Sequence, residues 1–122
     1  MDLVKLLTPT TDEERLQKVL DNSSGFLYYV SVTGITGTKK ASIQEIEKSL
    51  NRIKIFTKLP IAVGFGISTQ KQIREISNVA NAAVVGSHIV KIIENEYTNN
   101  KNNLFNVEKV LNEVRTLSSG LN

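Results

Sequence analysis

The chain alternates short apolar runs with longer amphipathic stretches, and this alternation limits the fold more than any other feature of the sequence. Four apolar, β-branched runs are each followed by a stretch in which apolar residues recur at helical spacing. The runs cover residues 3–7, 25–31, 61–64 and 82–85. A strand followed by a helix, repeated in this way, is typical of βα units on a parallel sheet. The sequence therefore predicts an α/β domain with four parallel strands.

Polar residues mark where three of the helices should begin. Three pairs have the spacing of a capping box, namely Thr11 with Glu14, Ser42 with Glu45, and Thr69 with Gln72. The second helix is expected to stop near Lys58, before Pro60, and another helix should begin directly after the fourth strand. We expect ordered βα units over about residues 2–94, a loose Asn-rich connector at 97–103, and a C-terminal amphipathic helix over about 104–119.

The length of the chain limits what these units can build. Its 122 residues, 40% of them apolar and 22% charged, suit a single domain over residues 1–122 with one core. A complete (β/α)₈ barrel needs roughly 250 residues. Short, buried parallel strands also need neighbours at both edges of the sheet. We therefore expect half of a barrel, which is closed either by four strands of another polypeptide segment or by self-association of two copies.

Composition excludes several classes of function. The net charge of +3, from 15 basic and 12 acidic residues, is spread along the chain without the basic stripe that nucleic-acid binding requires. The chain has no cysteine, so disulfides and Cys-ligated metals are excluded. The N-terminus carries acids where a signal peptide needs bases, and no apolar run approaches ~18 residues. We predict no nucleic acid, no membrane and no metal, and a location in the cytoplasm or an organelle interior.

Glycines follow the last two predicted strands. Gly64 and Gly66 flank Phe65 after the third strand, and Gly86 with Ser87 ends the fourth strand where a helix starts. Free N–H groups and the helix dipole bind phosphate at such a helix start, and in barrels the loops after strands seven and eight often form this site. Tight turns that need glycine are the alternative. Because the pattern occurs in two adjacent units, we favour phosphate.

One loop narrows the choice of family. Residues 28–37 read YYVSVTGITG and resemble the sixth strand and loop of the tryptophan synthase alpha chain family, whose pattern is YYVS-x-TG-x-TG. Residues 8–11, 59–68 and 84–90 resemble the ends of its fifth, seventh and eighth strands, in order and in register. The resemblance implies that this chain is the C-terminal half, strands five to eight, of a TIM (β/α)₈ barrel, with the terminal helix also in place. The loop disfavours other barrels that act on sugar phosphates.

The resemblance also implies a reaction and its site residues. The family cleaves indole-3-glycerol phosphate to indole and glyceraldehyde 3-phosphate, a carbon–carbon lyase step of tryptophan biosynthesis. It needs no cofactor of its own and assembles as αββα with a β chain that binds pyridoxal phosphate. By position, the family uses Gly64, Gly66, Gly86 and Ser87 for phosphate, Phe65 for the indole ring, Tyr28 in the catalytic pocket and Thr36 on the lid loop. Tyr28 and Phe65 could otherwise be core aromatics, and Thr36 a turn residue.

The resemblance further implies that the acid and base are absent. The family takes its catalytic glutamate and aspartate from its second and third βα units, which this chain does not contain. We expect the carboxylates here to lie at helix starts or on solvated helix faces, and His88, without an evident partner, to be structural or exposed. The isolated chain should therefore be inactive and should associate. A non-catalytic phosphate-binding half-barrel is the alternative function.

Overall fold

The computed structural model describes residues 1–31, 42–64, 66–99 and 106–121. Four strands alternate with helices in the predicted order. The strands are β1 (Lys5–Leu7), β2 (Leu27–Val30), β3 (Ile61–Gly64) and β4 (Ala82–Val84). The helices are α1 (Glu13–Leu20), α2 (Ile43–Lys54), α3 (Gln70–Ser77), α4 (Ser87–Asn99) and α5 (Val107–Ser118), and a 3₁₀ turn, Ser119–Leu121, follows α5.

The four strands form one parallel sheet in the order β1-β2-β3-β4. Each strand pairs with the next one in sequence, so every connection must cross over, and right-handed crossovers in this order place the helices on one side of the sheet. This is the topology of a barrel segment, whereas a doubly wound sheet has helices on both sides. The predicted α/β fold, a partial barrel of four βα units, is confirmed.

The core lies between the sheet and the helices. Leu7, Tyr29 and Val63 occupy one register row of the sheet and are buried. Alternation along a strand sends their side chains to the helical face. Helices α1, α2, α3 and α5 contribute one to three buried apolar residues each to this layer, and Ile89 of α4 packs against it while only partly buried; the buried residues are Leu16, Ile46, Leu50, Ile53, Ile73, Ile76 and Leu117. The amphipathic spacing of α1, α2 and α3 therefore points inward as expected, whereas Val90 and Ile93 of α4 and three apolar residues of α5 (Val107, Leu111 and Val114) are exposed.

The other face of the sheet is open. Leu6, Tyr28, Ala62 and Ala82 form a register row on this face. Leu6 is 63% exposed and lies on an edge strand, while Ala82 is also exposed on the opposite edge. In a closed barrel this face would fill the interior. The described residues thus leave an apolar inner face and two strand edges without cover.

Two helix starts agree with the sequence and one does not. Ser42 accepts a hydrogen bond from the N–H of Glu45, and Thr69 forms the full capping box with Gln72. The first helix, however, is capped by Asp12, whose carboxylate accepts the N–H of Arg15 at 2.8 Å. The Thr11 cap was wrong because the Thr11 hydroxyl accepts the N–H of Thr8 and closes the preceding turn.

Strands β1, β2 and β4 are shorter than the predicted runs 3–7, 25–31 and 82–85 by one to three residues, and two helix boundaries also differ from the prediction. Helix α2 ends at Lys54, before the predicted stop near Lys58, because the chain turns there with the N–H of Phe56 bonded to the carbonyl of Ile53. Residues 97–99, predicted as the start of a loose connector, belong to helix α4. Residues 100–105, which hold the rest of that connector and the predicted start of the terminal helix, lie outside the described part of the chain.

Candidate functional site

A cavity of about 230 Å³ opens at the C-terminal ends of strands β2, β3 and β4. Its walls come from these strand ends and from the first turn of helix α4. Five residues predicted from the sequence line it, namely Tyr28, Gly64, Gly66, Gly86 and Ser87. The same end of the sheet carries the active site in βα-barrels. The other two predicted site residues, Thr36 and Phe65, lie outside the described residues.

Helix α4 begins at the wall of this cavity. Ser87 is its first residue, and the N–H of Val90 bonds to the carbonyl of Gly86 at 3.1 Å, which closes the first turn. The N–H groups of a first helical turn have no acceptor within the helix, and the helix dipole adds partial positive charge there. The wall formed by Gly86 and Ser87 is therefore suited to an anion.

Gly66 and Gly86 leave open space in front of the backbone. A Cβ atom built on either glycine meets no heavy atom within 4 Å, and both residues are exposed. Neither has the positive φ that would require glycine; among the described residues that conformation occurs at Gly25. The tight-turn explanation therefore does not account for these two glycines. The space in front of their backbone is open to a ligand.

Gly64 has a different environment. It is buried, and a Cβ atom built on it would lie 2.9 Å from Cζ of Tyr28 and closer still to the hydroxyl group. Tyr28 stands on the open face of the sheet, partly buried, and lines the cavity. It is therefore not a residue of the helical core. The absence of a side chain at position 64 is what lets the Tyr28 ring lie across strand β3.

His88 has a partner that the sequence reasoning missed. Its Nε2 lies 2.8 Å from Oε1 of Glu113 on helix α5, and His88 lines the cavity beside Ser87. The side chains of His88 and Glu113 are 26% and 33% exposed. A signal was available, because Glu113 lies at helical spacing between Val110 and Leu117 and so on the inward stripe of α5.

Carboxylates do not line the cavity within the described ranges. Glu96 and Glu113 nevertheless depart from the prediction of solvated helix faces, because Glu96 is 5% exposed and forms an ion pair with Lys109 of α5, while Glu113 is partly buried against His88. No group of three or more His, Cys, Asp or Glu side chains that could hold a metal occurs in the described part of the chain. None of its helices is both long and apolar enough to cross a membrane.

Comparison with known proteins assigns the family. The family model described as tryptophan synthase alpha chain matches residues 1–119. The alpha chain of Zymomonas mobilis is 48% identical over 119 residues, which are 98% of this chain and 43% of that protein. The alpha chain of Methanocaldococcus jannaschii is 48% identical over 100 residues, which are 82% of this chain and 36% of that protein.

A solved structure agrees with the sequence comparisons. Tryptophan synthase subunit alpha from Campylobacter jejuni superposes with a TM-score of 0.77 at 30% identity, over 96% of this chain and 44% of that one. The chain thus spans less than half the length of the relatives it matches. Together with the four parallel βα units, these matches show that the chain belongs to the tryptophan synthase alpha chain family and corresponds to the C-terminal part of its TIM barrel.

Proposed function

We propose that this chain supplies the phosphate-binding part of a lyase that cleaves indole-3-glycerol phosphate to indole and glyceraldehyde 3-phosphate in tryptophan biosynthesis. The observation that carries the proposal is the cavity in which Gly66, Gly86 and Ser87 meet at the strand ends. Its described lining has no lysine or arginine, so phosphate would be held by backbone N–H groups and the Ser87 hydroxyl. The site thereby binds the end of the substrate that does not react.

Tyr28 and Gly64 act together in this proposal. Tyr28 lines the pocket between the phosphate and the reacting end of the substrate, and Gly64 provides the space for its ring. We accordingly assign Gly64 to shaping the cavity, alongside the glycines that bind the phosphate. Phe65, next to Gly64 in sequence, would contact the indole ring, and Thr36 would act on the lid loop, as in the family that they resemble.

The proton transfers of the reaction must be supplied from outside the described chain. Cleavage needs a base near the indole nitrogen and an acid at carbon 3, each within hydrogen-bond reach. The described cavity lining contains no carboxylate. The family's catalytic glutamate and aspartate belong to other βα units, and those units would also cover the exposed inner face around Leu6. Without them the chain is expected to be inactive and to associate through that face.

The remaining parts of the assignment follow the family. The alpha chain needs no cofactor of its own, and pyridoxal phosphate belongs to the β chain that receives the indole. Binding to that β chain in an αββα assembly, and a location in the cytoplasm or an organelle interior, form part of the proposal. The second candidate is a non-catalytic half-barrel that binds phosphate through the same cavity, because the described cavity lining includes Gly86 and Ser87 at a helix start and no carboxylate.

Complementation separates the two candidates. Mixing this chain with the N-terminal half of the Zymomonas mobilis alpha chain, which is a relative at 48% identity, should produce indole from indole-3-glycerol phosphate. Neither half alone should do so, since each lacks a part of the site. A Ser87→Ala chain in the same mixture should keep the maximal rate and raise KM, because Ser87 contacts only the phosphate. Co-purification of the two halves without any lyase activity would favour the non-catalytic candidate.

A further inference from the structure

His88 touches two parts of the molecule at once. His88 lines the cavity next to Ser87, at the start of helix α4. On its other side Nε2 is hydrogen-bonded to the carboxylate of Glu113, in the middle of helix α5. No other residue that lines the cavity has a hydrogen bond to α5 among the described contacts. His88 is therefore the polar link between the proposed phosphate site and the last helix.

Helix α5 is attached to the rest of the domain at few points. Leu117 is its one residue in the buried core cluster among the described residues, while Val107, Leu111 and Val114 are 53%, 43% and 45% exposed. Such limited burial makes α5 an element whose docking a few polar contacts can shift.

Among the described contacts, three polar ones join α5 and the turn after it to other helices. Lys109 pairs with Glu96 toward the far end of α4, Glu113 with His88 at the near end, and Ser119 Oγ accepts from Nε2 of Gln70 at 2.7 Å. Moving along α5 from Lys109 to Glu113 moves backward along α4, so the two helices run in opposite directions. Of the three contacts, the one with His88 lies at the cavity.

We propose that His88 is a positioning residue of the phosphate site and couples phosphate binding at the start of α4 to docking of α5 through Glu113. The proposal rests on the proposed phosphate site. With Glu113 in place, the first turn of α4 is held in the orientation that presents the N–H groups of Ser87 and His88 to the anion. Phosphate in turn fixes that turn and strengthens the contact with Glu113, because coupling between two equilibria is reciprocal.

The contact can be altered without disturbing the core. Both partners are partly exposed, and ion pairs of that kind contribute little to global stability. Glu113→Ala removes the acceptor, whereas Glu113→Gln keeps an oxygen that can accept the imidazole N–H. A positioning role predicts that Gln rescues what Ala loses. Ser119→Ala is the matched control, because it removes a hydrogen bond that holds the turn after α5 and leaves the contact of His88 intact.

Calorimetric titration of the full chain with inorganic phosphate provides the first measurement. Glu113→Ala should weaken binding about fivefold. The phosphate affinities of Glu113→Gln and Ser119→Ala should both stay within about twofold of the wild-type affinity, a range that corresponds to small changes at independent sites. Equal affinity of Glu113→Ala and the wild type, or an equal loss in Ser119→Ala or in Glu113→Gln, overturns the positioning role.

Hydrogen exchange tests the reciprocal effect. Saturating phosphate should slow hydrogen exchange of the α5 amides in the wild-type chain. It should leave their exchange rates unchanged in Glu113→Ala, because that variant lacks the hydrogen bond between His88 and position 113. If the contact were merely structural, the exchange rates of the α5 amides would not depend on phosphate.

The proposed phosphate site and the proposed coupling fail in different ways. A wild-type chain that binds no phosphate removes the proposed function together with its coupling, whereas tight phosphate binding with unaltered α5 exchange removes the coupling alone.

Discussion

Gly86→Asp is expected to weaken phosphate binding strongly while leaving the fold intact. Gly86 precedes the first residue of α4 and is the cap position of that helix, and a side chain built there meets no atom within 4 Å. Aspartate is a better cap than glycine by a few tenths of a kcal/mol, so the free energy of unfolding should stay equal or rise slightly. Its carboxylate would lie where the phosphate binds, and repulsion between the anions should weaken phosphate binding by at least about tenfold.

Gly86→Asn is the matched control for this change. Asparagine has nearly the same shape and the same capping ability, but it carries no charge. It should therefore reduce phosphate affinity less than aspartate does, and raising the salt concentration should narrow the difference between the two variants. Phosphate titration and thermal unfolding of both variants measure the two effects separately. Equal phosphate affinity in Gly86→Asp and the wild type would place the anion elsewhere.

Gly64→Val should damage both the fold and the site. A Cβ atom at position 64 already collides with the Tyr28 ring, and the two methyl groups of valine extend the collision into the cavity. Overpacking of this kind costs about 1–3 kcal/mol of unfolding free energy. The Tyr28 ring must leave its position to relieve the collision. We therefore expect a lower melting temperature and, in the complemented enzyme, a larger loss of activity than the loss of stability alone explains.

A double variant tests the cause of that damage. Tyr28→Leu shortens the side chain and removes both the ring and the hydroxyl group that meet position 64. Gly64→Val combined with Tyr28→Leu should regain part of the stability lost in Gly64→Val alone, because residues in contact have non-additive effects. Chemical unfolding of the wild type, the two single variants and the double variant measures the interaction energy between positions 28 and 64. Strict additivity would show that the valine acts through some other neighbour.

The sequence predicted most of the fold because its signals are local. The bounds of strand β3 agree with the prediction at both ends, since Pro60 precedes the apolar run and Gly64 ends it. The Thr69 capping box also agrees, since both of its hydrogen bonds join residues three positions apart. The first helix shows a case that local signals do not decide. Thr11 and Asp12 can both cap a helix, and only the turn that uses the Thr11 hydroxyl decides between them.

The site was predictable in its position and less so in its details. Strand ends in a parallel sheet share one edge, so glycines that follow adjacent strands had to lie close together. The roles within the site depend on contacts that are distant in sequence. Tyr28 lies 36 positions before Gly64, whose Cβ space it occupies, and Glu113 lies 25 positions after His88. The first contact joins two strands and the second two helices, and neither has a local sequence pattern.

The phosphate site can be tested by titrating the isotopically labelled chain with inorganic phosphate and following the amide chemical shifts. A site at the strand ends predicts saturable shifts of the amides of Gly66, Gly86 and Ser87, which surround the cavity. The amide of Leu16, in helix α1 on the opposite face of the sheet, should not move. Absence of shifts at the three cavity residues, or shifts of equal size throughout the chain, would contradict a phosphate site at these strand ends.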